Sequence, residues 1–295
     1  MIGKYKNGNY KVAIMPDGTK IRAIQDGTIP NPDFPENMDV KITNYCDIGC
    51  SFCYENSTIN GCHGAILNLP FIKSLKPFTE MAIGGGDPMS HPQLKEFLIE
   101  LKEQKVIANI TVNQKTFENK YSQIKELINK GLIYGVGISL VNPSYNFINL
   151  VKTIPNAVIH VINGLITKEQ LAKLSNHNLK ILVLGYKSKG RGYKFIVEEN
   201  EFISKNQHYL KNNLTKISKQ FSVFSFDNLG IEQLDALALI PKEEIPKYYM
   251  GDDGKFTMYI DLVKKEYAKN SISEERYDLS DLSTVEEIFA KIKEL

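Results

Sequence analysis

The stretch MDVKITNYCDIGCSFCYE (residues 38–55) joins a predicted β-strand, 38–43, to three closely spaced cysteines. Cys46, Cys50 and Cys53 follow the strand in the spacing C-x3-C-x2-C. Three thiols grouped at the end of a strand are typical of a metal centre, since side chains at strand ends meet at one edge of a sheet. The stretch therefore predicts both the start of a βα fold and the position of its chemistry.

Several kinds of centre use cysteines, and this group of three fits them unequally. Zinc usually takes four ligands in two pairs, and the remaining cysteine, Cys62 beside His63, supplies no second pair, so we expect a loop thiol there. A disulfide fits neither an odd group nor the cytoplasm, where we expect this chain. An iron–sulfur cube usually takes four cysteines, so three would leave one iron open to chemistry.

Composition limits the class of protein. The 295 residues are 42% hydrophobic and 24% charged, as in ordinary globular domains. No apolar run is long enough to span a bilayer, and the start MIGKYKNGNYK lacks the apolar core of a signal peptide, so a cytoplasmic location without a membrane partner is expected. The net charge of +2 gives no reason to expect nucleic acid as a partner.

From residue 38 onward, short apolar runs alternate with helical patterns. The six candidate strands are 38–43, 80–85, 106–113, 134–141, 156–163 and 179–185. Parallel strands need crossover helices, so repeated βα units predict a parallel sheet. Asn109, Thr111 and Asn113 alternate with apolar residues, and such a polar inner face favours a barrel around a cavity over a flat sheet covered on both faces. We therefore predict an α/β fold with an incomplete (β/α)6 TIM-like barrel, followed by a seventh strand at 221–226.

Three segments are predicted along the chain. Residues 1–37 form an N-terminal β-hairpin extension, YKVAIM-PDG-TKIRAI, and a proline-rich linker, with the extension covering an open edge or end of the barrel. Residues 38–226 form the partial barrel. Residues 227–295 form a C-terminal cap of a hairpin and a helix, in which Ser283 is the predicted N-cap and Glu286 completes a capping box.

A second motif, IGGGDPMSHPQL (83–94), follows the second strand and opens a helix. By itself a glycine run indicates only a tight βα turn. Together with C-x3-C-x2-C after the first strand, and with the aromatic Phe52 directly before the last cysteine, it resembles the radical S-adenosylmethionine (radical SAM) superfamily.

That resemblance implies that Cys46, Cys50 and Cys53 bind a [4Fe–4S] cluster whose fourth iron is chelated by S-adenosylmethionine (SAM). It implies reductive cleavage of SAM to a 5′-deoxyadenosyl radical, which abstracts a hydrogen atom from the substrate. The glycine motif resembles the family's GGE motif, which holds the SAM amino group, with an aspartate in place of glutamate and a third glycine. The implied cofactor-binding residues are Phe52, Gly84, Gly85, Gly86, Asp87, Ser139, Asn163 and Tyr186.

The last three of these are weaker matches with structural alternatives. Ser139 resembles the residue that bonds the SAM ribose, and equally a small residue in a crowded barrel. Asn163 in VINGLI resembles the strand-five motif beside adenine, or a simple Asn-Gly turn. Tyr186 in LGYK resembles an adenine-side residue, or a packing aromatic. In the basic loop KSKGRGYK, Arg191 either neutralises a carboxylate of SAM or substrate or lies in a solvated loop.

The tail GKFTMYIDLVKKEYAKNS resembles the hairpin of SPASM-type radical SAM enzymes, which modify peptides and proteins, but no auxiliary-cluster cysteine follows Cys62. The resemblance implies a peptide or protein substrate and an electron donor such as flavodoxin or ferredoxin. Modification of a nucleoside or tRNA, or of a small metabolite, is the alternative within the superfamily. A non-catalytic iron–sulfur redox-sensing module is the competing class, but it needs neither the glycine turn nor a polar barrel interior.

Overall fold

The computed structural model describes residues 1–24, 28–249, 251–279 and 284–295. Within them lie a three-stranded sheet and a ten-stranded sheet, with helices packed on the larger one. No helix in these ranges combines the length and apolar character that crossing a membrane requires. The predicted N-cap Ser283 lies outside the described residues.

The small sheet is antiparallel and consists of β1 (Gly3–Asn7), β2 (Tyr10–Ile14) and β3 (Lys20–Ile24). The predicted hairpin is present as β2 and β3, and β1 adds a third strand. The sequence of β1, GKYKN, has one aromatic between charged residues and no apolar alternation, so it carried no strand pattern. Its pairing with β2 is decided by the hairpin turn that joins them.

Seven parallel strands form the barrel part of the large sheet. They are β4 (Asn37–Thr43), β5 (Glu80–Gly85), β6 (Ile107–Asn113), β7 (Gly135–Ser139), β8 (Ala157–Ile162), β9 (Lys180–Leu184) and β10 (Val223–Phe226). Each pairs with the next in chain order, including the predicted seventh strand. Since β10 is an edge strand, the sheet does not close, and the prediction of an incomplete TIM-like barrel is confirmed.

The C-terminal hairpin is part of the same sheet. Its strands are β11 (Thr257–Asp261) and β12 (Glu266–Ala268), followed by β13 (Tyr277–Asp278). β11 pairs in parallel with β4, and β12 and β13 continue outward as antiparallel strands. The tail therefore lies beside the first barrel strand, next to the cysteines.

The helices connect the parallel strands or cover the sheet. They are α1 (Pro70–Lys73), α2 (Leu94–Glu103), α3 (Gln114–Asn119), α4 (Tyr121–Asn129), α5 (Tyr145–Lys152), α6 (Lys168–Leu174), α7 (Arg191–Glu198), α8 (Asn200–Ser218), α9 (Asn228–Leu234), α10 (Ile245–Tyr248) and α11 (Val285–Glu294), with 3-10 turns at Pro88–Ser90 and Ala236–Leu239. The capping box of α11 is formed by Thr284 and Glu287, one residue later than predicted. Glu286 instead pairs with Lys76.

The two faces of each barrel strand differ in polarity. On β6, Ile110 and Val112 are buried in the core between sheet and helices, whereas Asn109, Thr111 and Asn113 face the barrel interior. This interior, which we call the lumen, is therefore polar, in agreement with the sequence prediction.

The small sheet is fixed at the amino-terminal ends of the barrel strands by a buried ion pair. Glu36, directly before β4, has no exposed surface. It accepts hydrogen bonds from Arg22 Nε and Nη2 at 2.8 and 2.9 Å and from the Tyr10 hydroxyl at 2.6 Å. Lys20 Nζ lies 3.5 Å from Glu80, which opens β5. The N-terminal module thus covers the end of the barrel opposite the cysteines.

Candidate functional site

The three cysteines lie in a long loop, residues 44–64, that we call the cysteine loop. It follows β4 and folds back on itself, because the Asn44 amide donates to the Cys62 carbonyl at 2.8 Å and the Cys46 amide to the Thr58 carbonyl at 2.9 Å. At the end of the loop, the Gly64 amide donates to the Ile42 carbonyl of β4 at 2.9 Å. The loop is held at the carboxyl ends of the parallel strands, where βα folds place their chemistry.

Cys46, Cys50 and Cys53 are free, half-buried thiols, and Cys62 is exposed. Burial raises the pKa of the Cys46 thiol, and the nearby Asp87 charge adds to the effect. Burial also raises the pKa of Cys50, followed by the charges of the other two thiols. The three sulfurs are thus close enough to interact, while Cys62 stands apart in the solvent-exposed part of the loop.

The arrangement of the donors bears on the kind of centre. Within the described ranges, no group of three or more His, Cys, Asp or Glu side chains could together hold one metal ion. An iron–sulfur cube makes a different demand, because each thiolate binds a different iron and the sulfurs do not converge on one point. The cysteine loop supplies three half-buried sulfurs that fit this demand.

A second motif packs directly against the cysteine loop. This glycine turn, residues 84–87, follows β5, and Gly85 has a left-handed φ of +113°. A methyl group on Gly85 would lie 2.3 Å from the Thr43 carbonyl oxygen, and one on Gly86 would lie 2.1 Å from that of Tyr45. Only glycine permits this approach, so the two motifs are brought into contact by backbone packing.

The two ends of the glycine turn have different surroundings. Gly84 faces the lumen, where a methyl group would meet only the Thr111 Cβ, at 4.0 Å. Asp87 is buried, and its carboxylate accepts from the Met89 amide at 3.1 Å and from Lys120 Nζ at 3.2 Å. The turn thus offers open space beside the cysteine loop and an acid held in one orientation.

Ser139 and Asn113 lie beside this space on neighbouring strands. Ser139 ends β7 and is paired in register with Asn113 on β6 and with His160 on β8. The Asn113 side-chain amide is 3.8 Å from Cys50 Sγ. In the sequence, Asn113 is recognisable only as part of the polar strand face, because a contact with a thiol 63 residues away leaves no local pattern.

Asn163 and Tyr186 are buried in a network of their own. The Asn163 side-chain amide and the Tyr186 backbone amide both donate to Gln233 Oε1, at 3.0 and 2.8 Å. The Tyr186 hydroxyl donates to the Gly192 carbonyl at 2.7 Å, and burial raises its pKa to about 12. The Asn163 Oδ1 atom has no hydrogen-bond partner among the described residues. These two residues support the wall of the site at the ends of β8 and β9.

Arg191 binds the backbone of the cysteine loop. Its guanidinium donates from Nε to the Cys50 carbonyl and from Nη2 to the Ser57 carbonyl, both at 2.9 Å. Its own amide donates to the Cys53 carbonyl at 3.0 Å. A guanidinium suits this task because it presents several donors in a rigid fork. We call these three contacts the arginine clamp. The basic loop that the sequence linked to a ligand carboxylate is thus tied to the cysteines.

The residues around the clamp bring α7 close to the cysteine loop. A methyl group on Gly190, whose φ is +55°, would lie 2.5 Å from the Tyr54 carbonyl oxygen. The ring of Phe52 packs edge-on against Phe195 of α7, with centroids 5.9 Å apart. Phe52 therefore contacts the helix and contributes to holding the loop.

We expect Arg191→Ala to loosen the cysteine loop without unfolding the protein. Two carbonyls would lose their donors, at a cost of about 1–3 kcal/mol each where they stay buried. Hydrogen–deuterium exchange of the metal-free protein should show faster exchange of the amides in residues 46–58. Lys189→Ala, in the same basic loop, is the matched control and should leave that exchange unchanged. Equal exchange in both variants would contradict the clamp.

Charged residues of β4 and β11 join the C-terminal hairpin to the cysteine loop. Lys41 is buried, with Nζ 2.5 Å from Glu55 and 3.2 Å from Asp261. The Tyr259 hydroxyl donates to Glu55 at 3.4 Å, and Arg276 lies over the Tyr259 ring. Sequence reasoning missed this cluster, because its members are dispersed along the chain. The hairpin is thereby held as one wall of the lumen.

The lumen beside this wall is charged and open to solvent. Lys187 Nζ lies 4.1 Å from the centroid of the Tyr54 ring and donates to Ser271 at 2.8 Å. Asp39, on the lumen face of β4, is exposed to the solvent in the lumen. The protein atoms that surround the lumen partly desolvate its carboxyl group and so raise the pKa of that group. A ligand entering here would meet both signs of charge.

His160 lies on the lumen face of β8 and fills the space above Gly137. A methyl group on Gly137 would lie 2.3 Å from His160 Cε1. Burial, with a smaller contribution from the Lys187 charge, lowers the pKa of His160 to about 4. Its Nδ1 atom has no hydrogen-bond partner among the described residues. The folded chain therefore holds a neutral imidazole at this position.

The low pKa of His160 predicts how stability depends on pH. In the unfolded chain His160 becomes protonated as pH falls below about 6.5, whereas in the folded chain it stays neutral until about pH 4. The free energy of unfolding should therefore be unaffected by this group above about pH 6.5 and fall by up to about 3 kcal/mol towards pH 4. Urea unfolding across this range should show a shallower slope for His160→Gln. His208→Gln, at an exposed histidine of α8, controls for the substitution, and identical slopes in all proteins would refute the expectation.

Comparisons with known proteins add a structural likeness. No protein-family model matches the chain, and no curated protein matches its sequence. Similar solved structures are those of SuiB from Streptococcus suis. SuiB bound to S-adenosylmethionine has a TM-score of 0.60 and 16% identity over 89% of this chain and 68% of SuiB.

Two further SuiB structures give the same result. SuiB bound to the precursor peptide SuiA has a TM-score of 0.58 and 16% identity, covering 88% of this chain and 65% of that one. SuiB alone has a TM-score of 0.58 and 17% identity, covering 90% and 69%. This chain thus spans about two thirds of the length of SuiB and shares its fold.

Proposed function

We propose that this chain is a radical SAM enzyme whose Cys46, Cys50 and Cys53 hold a [4Fe–4S] cluster. The observation that carries the proposal is the packing of the glycine turn against the cysteine loop. The Gly86 amide donates to the carbonyl of Thr43, the last residue of β4, at 2.8 Å, and the Asp87 amide donates to the carbonyl of Tyr45 in the loop at 2.7 Å. A cysteine group alone would suit a redox module, but an open, glycine-lined space beside it suits a second ligand.

The cysteine loop fits the cluster in its donors and in its support. When bound, the cluster would supply the one electron that breaks the S–C5′ bond of SAM into methionine and a 5′-deoxyadenosyl radical, which takes a hydrogen atom from the substrate. The arginine clamp holds the loop backbone, and the Asn113 amide points to Cys50 Sγ, as donors to cluster sulfurs do when they tune a centre. The barrel walls, together with a bound substrate filling the open side of the lumen, would exclude bulk water from the radical.

The glycine turn and Ser139 are our candidates for holding SAM. Gly84 leaves room at the lumen face, and a carboxylate oxygen of Asp87 retains acceptor capacity for an ammonium group beyond its present partners. Ser139 lies two strands away at the same end of the sheet. Phe52, Asn163 and Tyr186 would act by supporting this pocket, in view of their packing and hydrogen bonds.

The proposed substrate is a peptide. SuiB, whose fold this chain shares, binds S-adenosylmethionine and a precursor peptide. The C-terminal hairpin lies against the cysteine loop through the Lys41 cluster, so it can form the wall along which a substrate enters. An electron donor such as flavodoxin or ferredoxin would reduce the cluster.

Anaerobic reconstitution tests the proposal. The protein is loaded with iron and sulfide, iron is counted per chain, and dithionite and SAM are added. About four irons per chain, with formation of 5′-deoxyadenosine, would support the proposal. If the cluster forms but SAM neither is cleaved nor changes the EPR spectrum of the reduced cluster, the redox-module alternative replaces it.

The substrate class is tested separately. Peptides encoded beside the gene are incubated with the reduced protein and SAM, and their masses are compared before and after. Loss of two hydrogen atoms, or another defined mass change, would identify a peptide substrate. If SAM is cleaved faster in the presence of nucleosides or small metabolites and no peptide changes mass, a peptide substrate is contradicted. The proposal of radical SAM chemistry is unaffected by that result.

A further inference from the structure

A groove lies along the free edge of the N-terminal sheet, at the opposite end of the barrel from the cysteine loop. Its volume is about 400 Å³. One side is formed by β1 residues Lys4–Lys6, and the other by Phe34, Phe78 and Lys105. We call it the edge groove. Nothing in the proposed function uses it.

The β1 side of the edge groove offers unpaired backbone. β1 is the outer strand of its sheet and pairs only with β2 in the described structure. In an antiparallel ladder, alternate residues of an edge strand point their N–H and C=O groups away from the partner. Such an edge accepts a further strand from another chain.

The rim of the edge groove is positively charged. Lys4, Lys6 and Lys105 are exposed, and in the described parts of the chain no carboxylate lies within ion-pair distance of them. Lys76, which also borders the groove, is paired with Glu286. The lysines on β1 would repel a second copy of the same edge, so they disfavour self-pairing and favour an acidic strand.

The far wall of the edge groove is held in a strained conformation. Phe78 and Lys105 both have left-handed backbones, with φ of +71° and +60°, and the Phe78 amide donates to the Lys105 carbonyl at 2.8 Å. For a bulky non-glycine residue this geometry is unusual and costly, and it concentrates at functional positions. A methyl group on Gly3 would lie 2.5 Å from the Phe78 ring. The absence of a side chain at Gly3 is what lets this ring sit against β1.

We propose that the edge groove binds an acidic, extended peptide segment that adds to β1 as a fourth strand. Its carboxylates would meet Lys4, Lys6 and Lys105, and its apolar side chains would pack on Pro77 and Phe78. A nucleic acid would satisfy the lysines, but its phosphate backbone has acceptors only and cannot pair with the alternating donors and acceptors of a strand edge. An acidic peptide satisfies both.

Fluorescence anisotropy with a labelled synthetic peptide of alternating glutamate and leucine tests the proposal on the full chain. The expected result is saturable binding that weakens as salt is raised, because exposed charges are screened. Lys4→Glu/Lys6→Glu should weaken binding by roughly tenfold or more, since like charges would face each other. The matched control, Lys216→Glu/Lys219→Glu near the end of α8, makes the same charge change and should bind like the wild type.

A second probe separates strand addition from charge attraction and does not depend on the folding of any variant. The same peptide with alternate backbone amides methylated keeps its charge but loses donors to β1, so it should bind the wild-type protein at least roughly tenfold more weakly. Equal binding of both peptides, or no binding of either, would overturn the proposal. So would tighter binding of an oligonucleotide of equal charge. Because cluster loading and SAM cleavage are measured separately, these outcomes leave the proposed function unaffected.

Discussion

Replacing Cys46, Cys50 or Cys53 by alanine is expected to abolish formation of 5′-deoxyadenosine and to remove most of the iron bound after reconstitution. Each thiolate would ligate a different iron, and the chain has no spare cysteine within the group to replace a lost ligand. Iron per chain and the absorbance of the reconstituted protein measure cluster loading directly, and product formation measures the chemistry.

Cys62→Ala is the matched control for the three cysteine variants. Cys62 is exposed on the same loop, and we expect its variant to retain iron and to cleave SAM like the wild type. Loss of the cluster in Cys62→Ala would show that the exposed thiol is a ligand. Retention of about four irons in any of the other three variants would contradict the proposed ligand set.

Glu36→Ala is expected to lower the free energy of unfolding by about 3–5 kcal/mol, the range seen when one partner of a buried ion pair is removed. Glu36 is fully buried and accepts two hydrogen bonds from Arg22 and one from Tyr10. Its loss would leave a partly buried guanidinium without its anion and would weaken the attachment of the small sheet to the barrel. Chemical denaturation followed by circular dichroism measures the change.

An exposed pair provides the comparison for Glu36. Glu126→Ala removes the partner of Lys130 on the surface of α4 and should leave stability unchanged within error, because exposed pairs contribute little. If Glu36→Ala costs less than about 1 kcal/mol, the small sheet is held by apolar contacts around Phe256 and not by the ion pair.

Much of the barrel could be predicted because its signals are local. Each parallel strand is a short run bounded by turn residues, and each buries one face against helices, so the alternation on β6 could be assigned before the fold was known. β1 escaped prediction because GKYKN has no apolar alternation and pairs only through its turn with β2. Because β1 was not predicted, the free strand edge that it forms beside Phe78 and Lys105 could not be predicted either.

The residues of the site likewise divide into those that local spacing predicts and those whose contacts are distant in sequence. Spacing along the chain identified the cysteines and the glycine turn, since ligands supplied by one loop must be close in sequence. The role of Arg191 in holding that loop could not be derived, because it contacts carbonyls 134 and 141 residues away. Asn163 and Tyr186 matched weak motifs, while their hydrogen bonds to Gln233 exist only in the folded chain.

The sequence by itself determined which elements form and which side chains can carry chemistry, because hydrophobic periodicity, turn residues and ligand spacing act over a few neighbouring residues. Only the tertiary structure decided what these groups touch. The contact between the glycine turn and the cysteine loop, the arginine clamp, the buried Glu36 pair and the edge groove all join residues far apart in the chain. Such contacts depend on strand order and packing, which no local pattern encodes.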